Sequence, residues 1–183
     1  MSLVDLALTL LLLVGIALLV DRFQRLSTRT LDGTVTVHDG DTITLAGERI
    51  RIRGIDAPEL RQSCTRDGHP YDCGRKALRA LVQMVKGHTV VCEGHERDRY
   101  DRLLAQCMVG DQDIGLAMVE AGWAMAYGDY DAAEAQARRG RVGIWAGGFD
   151  APRAWREAHE EEEVFPDGIL TNIIRRIRRW FAG

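Results

Sequence analysis

The chain has no surplus of positive charge: 24 Lys and Arg stand against 27 Asp and Glu in 183 residues, a formal net charge of −3. That excludes a protein that gathers nucleic acid by diffuse electrostatics. Any attraction to phosphate has to come from a few well-placed arginines and a bound cation. The stretch 32–157 keeps the same balance, with 17 Lys and Arg against 20 Asp and Glu. No internal repeat and no low-complexity tract is present, which excludes a solenoid and a low-complexity disordered chain. The length suits one globular domain with appendages. No Cys-x-x-Cys pair occurs and His69 is the only nearby imidazole, so a zinc site is a weaker reading of the cysteines than disulfides, with buried free thiols as the other alternative.

What is there begins with those four cysteines, at 64, 73, 92 and 107, which allow three pairings. Cys64 and Cys73 bracket a loop of turn formers, Thr65-Arg66-Asp67-Gly68-His69-Pro70, that a bridge between them would staple. Cys92 and Cys107 lie in two apolar, strand-like runs joined by a polar hairpin. Bridges of this kind imply an oxidising compartment.

Both ends of the chain have their own character. Residues 6–20 are almost uninterruptedly apolar and no small-x-small cleavage site follows, so 1–22 reads as an uncleaved signal anchor. Arg22, Arg25 and Arg29 after it would keep the main domain in the cytoplasm. The cysteines argue for the extracytoplasmic (periplasmic) side, which is the expectation adopted. At the other end, 160–183 combines an acidic run, Glu160 to Glu163, with a basic amphipathic helix over 169–181. Leu170, Ile173, Ile174, Ile177 and Phe181 share one face of it, opposite Arg175, Arg176, Arg178 and Arg179, a pattern suited to an anionic membrane surface or to docking on a protein.

Between the ends, 31–159 reads as one domain. Period-two alternation predicts strands over 33–38, 42–45, 48–52, 88–92 and 103–109. Helical spacing predicts helices over 74–86, 113–121, 132–139 and 151–163, the first capped by Asp72 and the second opened by Asp113. Five short strands with interspersed helices fit an α+β fold dominated by a five-stranded OB-type barrel.

The chemistry is concentrated in three motifs: Asp39-Gly40-Asp41-Thr42, then Arg51-Ile52-Arg53-Gly54-Ile55-Asp56-Ala57-Pro58-Glu59, then Asp98-Arg99-Tyr100-Asp101-Arg102. Paired carboxylates suit a hard cation, and arginine forks suit phosphate. Together and in this order the motifs resemble the staphylococcal nuclease-like (thermonuclease) family. The resemblance runs from about Gly33 to Trp145, with a looser tail through Phe149 and Trp155-Arg156. It implies that Asp41 and Asp56, with the main-chain carbonyl of Ala57, hold a catalytic Ca²⁺. Threonine usually stands where Ala57 does, a change that a main-chain ligand survives. Glu59 would be the general base, Arg51 and Arg102 the clamp on the scissile phosphate, and Tyr100 a contact to the neighbouring nucleotide. Asp39 is either a support behind the ligands or simply a turn residue, since Asp-Gly between two strands is reason enough for a turn. Glycine is common in the family where Asp101 stands, so a negative charge is expected beside Arg102.

The function so implied is a Ca²⁺-dependent endonuclease that hydrolyses DNA and RNA with little sequence preference and leaves 3′-phosphate ends. It would be tethered to a membrane by its N-terminal helix, with the tail helix as a second candidate contact, and with no obligate protein partner. The rival is a catalytically weak or inactive module that binds nucleic acid or protein at the membrane.

Overall fold

Runs of Val, Ile and Thr with alternating burial build the sheet. The computed structural model describes residues 3–164, with side chains over 5–20, 22 and 28–159. The first strands are β1 (Arg29–Gly33), β2 (Val35–Val37), β3 (Thr42–Leu45), β4 (Glu48–Ile52) and β5 (Ile55–Asp56). They are followed by β6 (Cys64–Arg66), β7 (His69–Tyr71), β8 (Val90–Arg97), β9 (Leu103–Val109), β10 (Gln112–Asp113) and β11 (Met125–Ala126).

The main strands neighbour one another in the order β1-β8-β9-β4-β3-β2. The two ends of that order, β1 and β2, lie on one stretch of chain that bends at Gly33 (φ +143°). A single bent strand thus pairs with β8 through its first half and with β3 through its second, curling the sheet into the OB-like barrel. Counted that way the barrel has the five strands read from the sequence. The half that sequence alternation misses is Arg29–Gly33, a mostly polar run paired with the backbone of β8, in which Leu31 alone packs against the core. Among the described strands only β4 and β9 run parallel, with Ile50, Arg51 and Ile52 opposite Leu103, Leu104 and Ala105. Ile43, Leu45, Ile50, Ile52, Val90 and Leu103 fill the interior and are fully buried. A disulfide joins Cys92 and Cys107, which face each other across β8 and β9.

The helices are α1 (Leu3–Ser27), α2 (Cys73–Val85), α3 (Ile114–Glu120), α4 (Asp131–Arg139) and α5 (Pro152–Val164). α2 buries Ala77, Leu81 and Val85, one every four residues, against the barrel, and Cys73 at its start in a separate cluster with Cys64 and Ile144. Asp72 occupies its N-cap position, but the side chain makes no capping bond. The helix start is held instead by the Cys64–Cys73 disulfide and by the Gly74 N–H donating to the Gln62 carbonyl at 3.3 Å. Asp113 caps α3 as its sequence predicts, accepting the Leu116 N–H at 3.2 Å. Trp123 and Trp145 pack beside the Cys64–Cys73 bridge, in a second small cluster with Ile144 and Phe149.

α1 is 25 residues long, and its leucines from Leu6 to Leu19 are exposed, Leu19 by 70%. Among the described residues no helix is long and apolar enough to cross a membrane. The amphipathic helix expected over 169–181 lies outside the described residues.

Candidate active site

The site is made where β3, β4 and β5 meet. Asp41 stands just before β3, in a turn whose first residue, Asp39, accepts the Asp41 N–H at 2.9 Å. Gly40 is there for space: a Cβ on it would lie 2.6 Å from that of Ala57 and 2.9 Å from that of Ala77. The turn therefore presses against both the Ala57 loop and α2, and Asp41 is buried beneath it.

Arg51 on β4 reaches between two carboxylates. One Nη donates to Asp41 Oδ1 at 3.2 Å, and the other lies 3.0 Å from Asp41 Oδ2 and 2.6 Å from Asp56 Oδ1. Asp56 ends β5, whose partner is β11. Asp41 also accepts the Ala57 N–H at 3.1 Å and the Thr42 hydroxyl at 3.0 Å. Burial pushes the Asp41 carboxyl up to about 7; Arg51 pulls against that, while Asp39 and Asp56 add to it. Burial also works against the Arg51 charge, but Asp41 and Asp56 together hold its pKa above the usual value.

Glu59 lies three residues beyond Asp56, across Pro58, and its carboxylate faces the same cleft. Its loop is held from below by Gln62, wholly buried, which accepts the Glu59 N–H at 3.1 Å. The Gln62 side-chain amide in turn donates to the Asp150 carbonyl at 2.7 Å. A Cβ on Gly74 would lie 1.8 Å from the Glu59 carbonyl oxygen, so only glycine lets α2 start this close to the loop.

Arg102 comes from the far side of the cleft. Its Nε donates to Asp98 Oδ2 at 2.7 Å and one Nη to Thr42 Oγ1 at 3.2 Å. Asp98 also accepts the Tyr100 and Arg102 N–H groups, at 2.9 and 3.0 Å. Burial works against its charge, but these bonds keep its pKa below the usual carboxylate value. Tyr100 is 60% exposed, with its ring under the guanidinium groups of Arg99 and Arg102 at 4.7 and 5.4 Å. Asp101 takes the left-handed conformation (φ +63°) that suits glycine and that aspartate tolerates. Its carboxylate is 3.4 Å from Arg97 and is absent from the cleft wall. The charge expected beside Arg102 is thus turned away from it.

Asp41, Arg51, Asp56, Glu59, Tyr100 and Arg102 line one open cleft of about 880 Å³, which also takes in Tyr127, Arg153 and Arg156. Of the two tyrosines farther along, Tyr127 is 68% exposed in this cleft. Tyr130 instead donates its hydroxyl to Asp113 at 2.8 Å and packs against the core. The residue that sequence reading leaves without a role is Arg156 on α5. It donates to Glu59 at 2.6 Å and to the two oxygens of Asp56 at 3.1 and 3.2 Å. Its only signal in the sequence is its place beside Trp155 at the edge of the resemblance.

A family model described as staphylococcal nuclease homologue matches residues 49–147. The chain belongs to that family. Asp39 and Asp41 lie before the matched segment, and it is the barrel that brings them against Asp56. Among relatives, an uncharacterized endonuclease of Escherichia coli O157:H7 is 34% identical over 134 residues, 67% of this chain and 82% of that protein. The succinoglycan biosynthesis protein ExoI of Rhizobium meliloti is 36% identical over 121 residues, 62% of this chain and 63% of that one. The probable endonuclease LCL3 of Leptosphaeria maculans is 34% identical over 143 residues, 62% and 47% of the two chains. This nuclease homologue spans about half the length of several such relatives, from 37% to 63%.

Proposed function

We propose that this nuclease homologue is a Ca²⁺-dependent endonuclease that hydrolyses DNA and RNA with little sequence preference and leaves 3′-phosphate ends. The observation that carries the reading is the meeting of Asp41, Asp56 and Glu59 in one cleft with two arginines of separate elements, Arg51 and Arg102. The donor set fits a hard cation: oxygen only, from two carboxylates that share one arginine and a main-chain carbonyl beside them. Among the described residues no group of three His, Cys, Asp or Glu side chains forms a ready cage. Asp41, Asp56 and the Ala57 carbonyl would hold the ion, leaving water and substrate oxygens to complete its shell. When bound, the cation supplies acidity to a water and charge to a phosphate oxygen.

The chain's own residues do the rest. Glu59, its loop held by Gln62, takes a proton from the attacking water. Arg51 and Arg102 offer their forks to the phosphate and meet the extra negative charge of five-coordinate phosphorus. The bond to the 5′ oxygen breaks and the phosphate stays on the 3′ side. Tyr100 stacks on the adjoining base. The full chain in mild detergent, given single-stranded DNA and RNA with Ca²⁺ or chelator, should cut both only with Ca²⁺. Glu59→Gln should lower cleavage about 10³-fold while leaving the fold intact. Equal cleavage by that variant would refute the role of Glu59, and a folded, Ca²⁺-loaded chain that cuts nothing would favour a binding module.

We also infer that α1 tethers the enzyme to a membrane, with the barrel on the extracytoplasmic side. Its exposed leucines and the two disulfides support this. Resistance to alkaline extraction from membranes, lost on deletion of 1–22, is the expected result.

A further inference from the structure

Arg156 stands outside the matched segment 49–147, yet its guanidinium makes three hydrogen bonds to the acids of the cleft. An ionised carboxylate offers about four lone-pair positions. Asp41 accepts from the Thr42 hydroxyl, the Ala57 amide and both Nη of Arg51. Asp56 accepts from Arg51 on Oδ1 and from Arg156 on both oxygens. A divalent cation therefore competes with arginine on both carboxylates, with Arg51 on Asp41 and with Arg51 and Arg156 on Asp56. Arg51 is wedged between the two aspartates and its side chain is 18% exposed. Arg156 sits at the cleft wall, 30% exposed, and has a second acid, Glu59, to keep.

We propose that Arg156 is a positioning residue that stands in for the divalent cation on Asp56, gives Asp56 up when the cation binds, and goes on holding the Glu59 carboxylate. α5 is placed for this task, because Gln62 ties the Glu59 loop to the Asp150 carbonyl just ahead of the helix. The inference rests on the reading of Asp41 and Asp56 as cation ligands.

The test is calorimetric titration of Ca²⁺ into the full chain, beside Arg156→Gln, Arg156→Lys and Arg153→Gln, with each fold checked by thermal melting. Arg156→Gln should bind Ca²⁺ about tenfold tighter, since a competing charge is gone. Arg156→Lys keeps the charge but loses the fork, and should fall between wild type and Arg156→Gln. It reads the same direction should Arg156→Gln fail to fold. Arg153→Gln removes the same charge one turn earlier on α5, where the partner is Glu157, and should change affinity about twofold at most. At saturating Ca²⁺, Arg156→Gln should also lose about 10²-fold in kcat with little change in KM, because Glu59 is no longer held. Unchanged or weaker Ca²⁺ binding by the Arg156 variants, or an equal gain in Arg153→Gln, would overturn the exchange while leaving the nuclease reading intact. No Ca²⁺ binding by the wild-type chain would overturn the cation reading and the exchange with it.

Discussion

Arg51 and Arg102 reach the same cleft by opposite means. Arg51 is half-buried between carboxylates from two other elements, one of them ten residues away in sequence, in a cluster that burial makes reluctant to carry charge. Arg102 is tied to Asp98, four residues before it, by a turn whose amides hold that aspartate ionised. The first arrangement relies on the barrel and stores an electrostatic conflict. The second is nearly complete within five residues. Electrostatic strain thus collects where distant elements converge, while a local turn satisfies its own charges.

The comparison breaks most visibly when each arginine is removed. Arg51→Ala leaves two buried aspartates without their shared partner and should cost about 3 kcal/mol in urea unfolding of the cation-free chain. Arg102→Ala should cost only about 1 kcal/mol, because Asp98 keeps its backbone donors. Both should lower cleavage roughly 10²–10³-fold, so equal loss of activity would accompany unequal loss of stability.

The disulfides give the next effect. Replacing both cysteines of either bridge by alanine should cost about 3 kcal/mol on the chain-entropy estimate, the sequence separations being 9 and 15. Loss of Cys64–Cys73 should also lower cleavage, since it loosens the loop and helix start that hold Glu59. Loss of Cys92–Cys107, inside the barrel wall, should leave cleavage per folded molecule unchanged.

The two regions should also respond to pH with opposite sign. Asp41 has a raised pKa, so between 3.8 and about 7 the cation-free folded form keeps a proton that the unfolded chain has released. Its contribution to stability is therefore full below that window and falls as pH rises through it. Asp98 has a lowered pKa, so its contribution is present above the ordinary carboxylate value and is lost as pH falls below it. Asp41→Asn should remove the upper slope and stabilise the cation-free chain near neutral pH by about 1–2 kcal/mol, while abolishing Ca²⁺ binding. Asp98→Asn should remove the lower slope alone. Melting temperature against pH in chelator distinguishes the two.

The smallest effect is expected at Asp101. Asp101→Gly relieves a left-handed backbone and should gain less than about 1 kcal/mol. Cleavage should be unchanged, because the Asp101 carboxylate points to Arg97. A marked rise in cleavage would mean that the charge reaches Arg102 after all.

Local pattern made much of this legible. The Ile50 and Ile52 alternation announced β4 and put Arg51 on its other face; the spacing of Ala77, Leu81 and Val85 announced α2; Asp113 announced the start of α3. The pairs and triplets β5, β6, β7 and β11 were not legible, since strands of two or three residues carry no period. Nor was the capping of α2, where position named Asp72 but a disulfide and Gln62 took over the task. Asp39-Gly40 looked like a turn signal, and it is one, yet the reason for the glycine is the approach of Ala57 and Ala77.

By itself the sequence determined which residues could do chemistry and which faces of each element were apolar, because each depends on neighbours within a few bonds or one helical turn. Only the tertiary structure decided that Asp41, Asp56 and Glu59 share one cleft, that Asp101 leaves it, and that Arg156 enters it from α5. Those outcomes depend on barrel closure and on the seat of a helix some hundred residues from Asp56 (|i−j| = 100 for its bond to Arg156), and no short-range pattern encodes a distance in space.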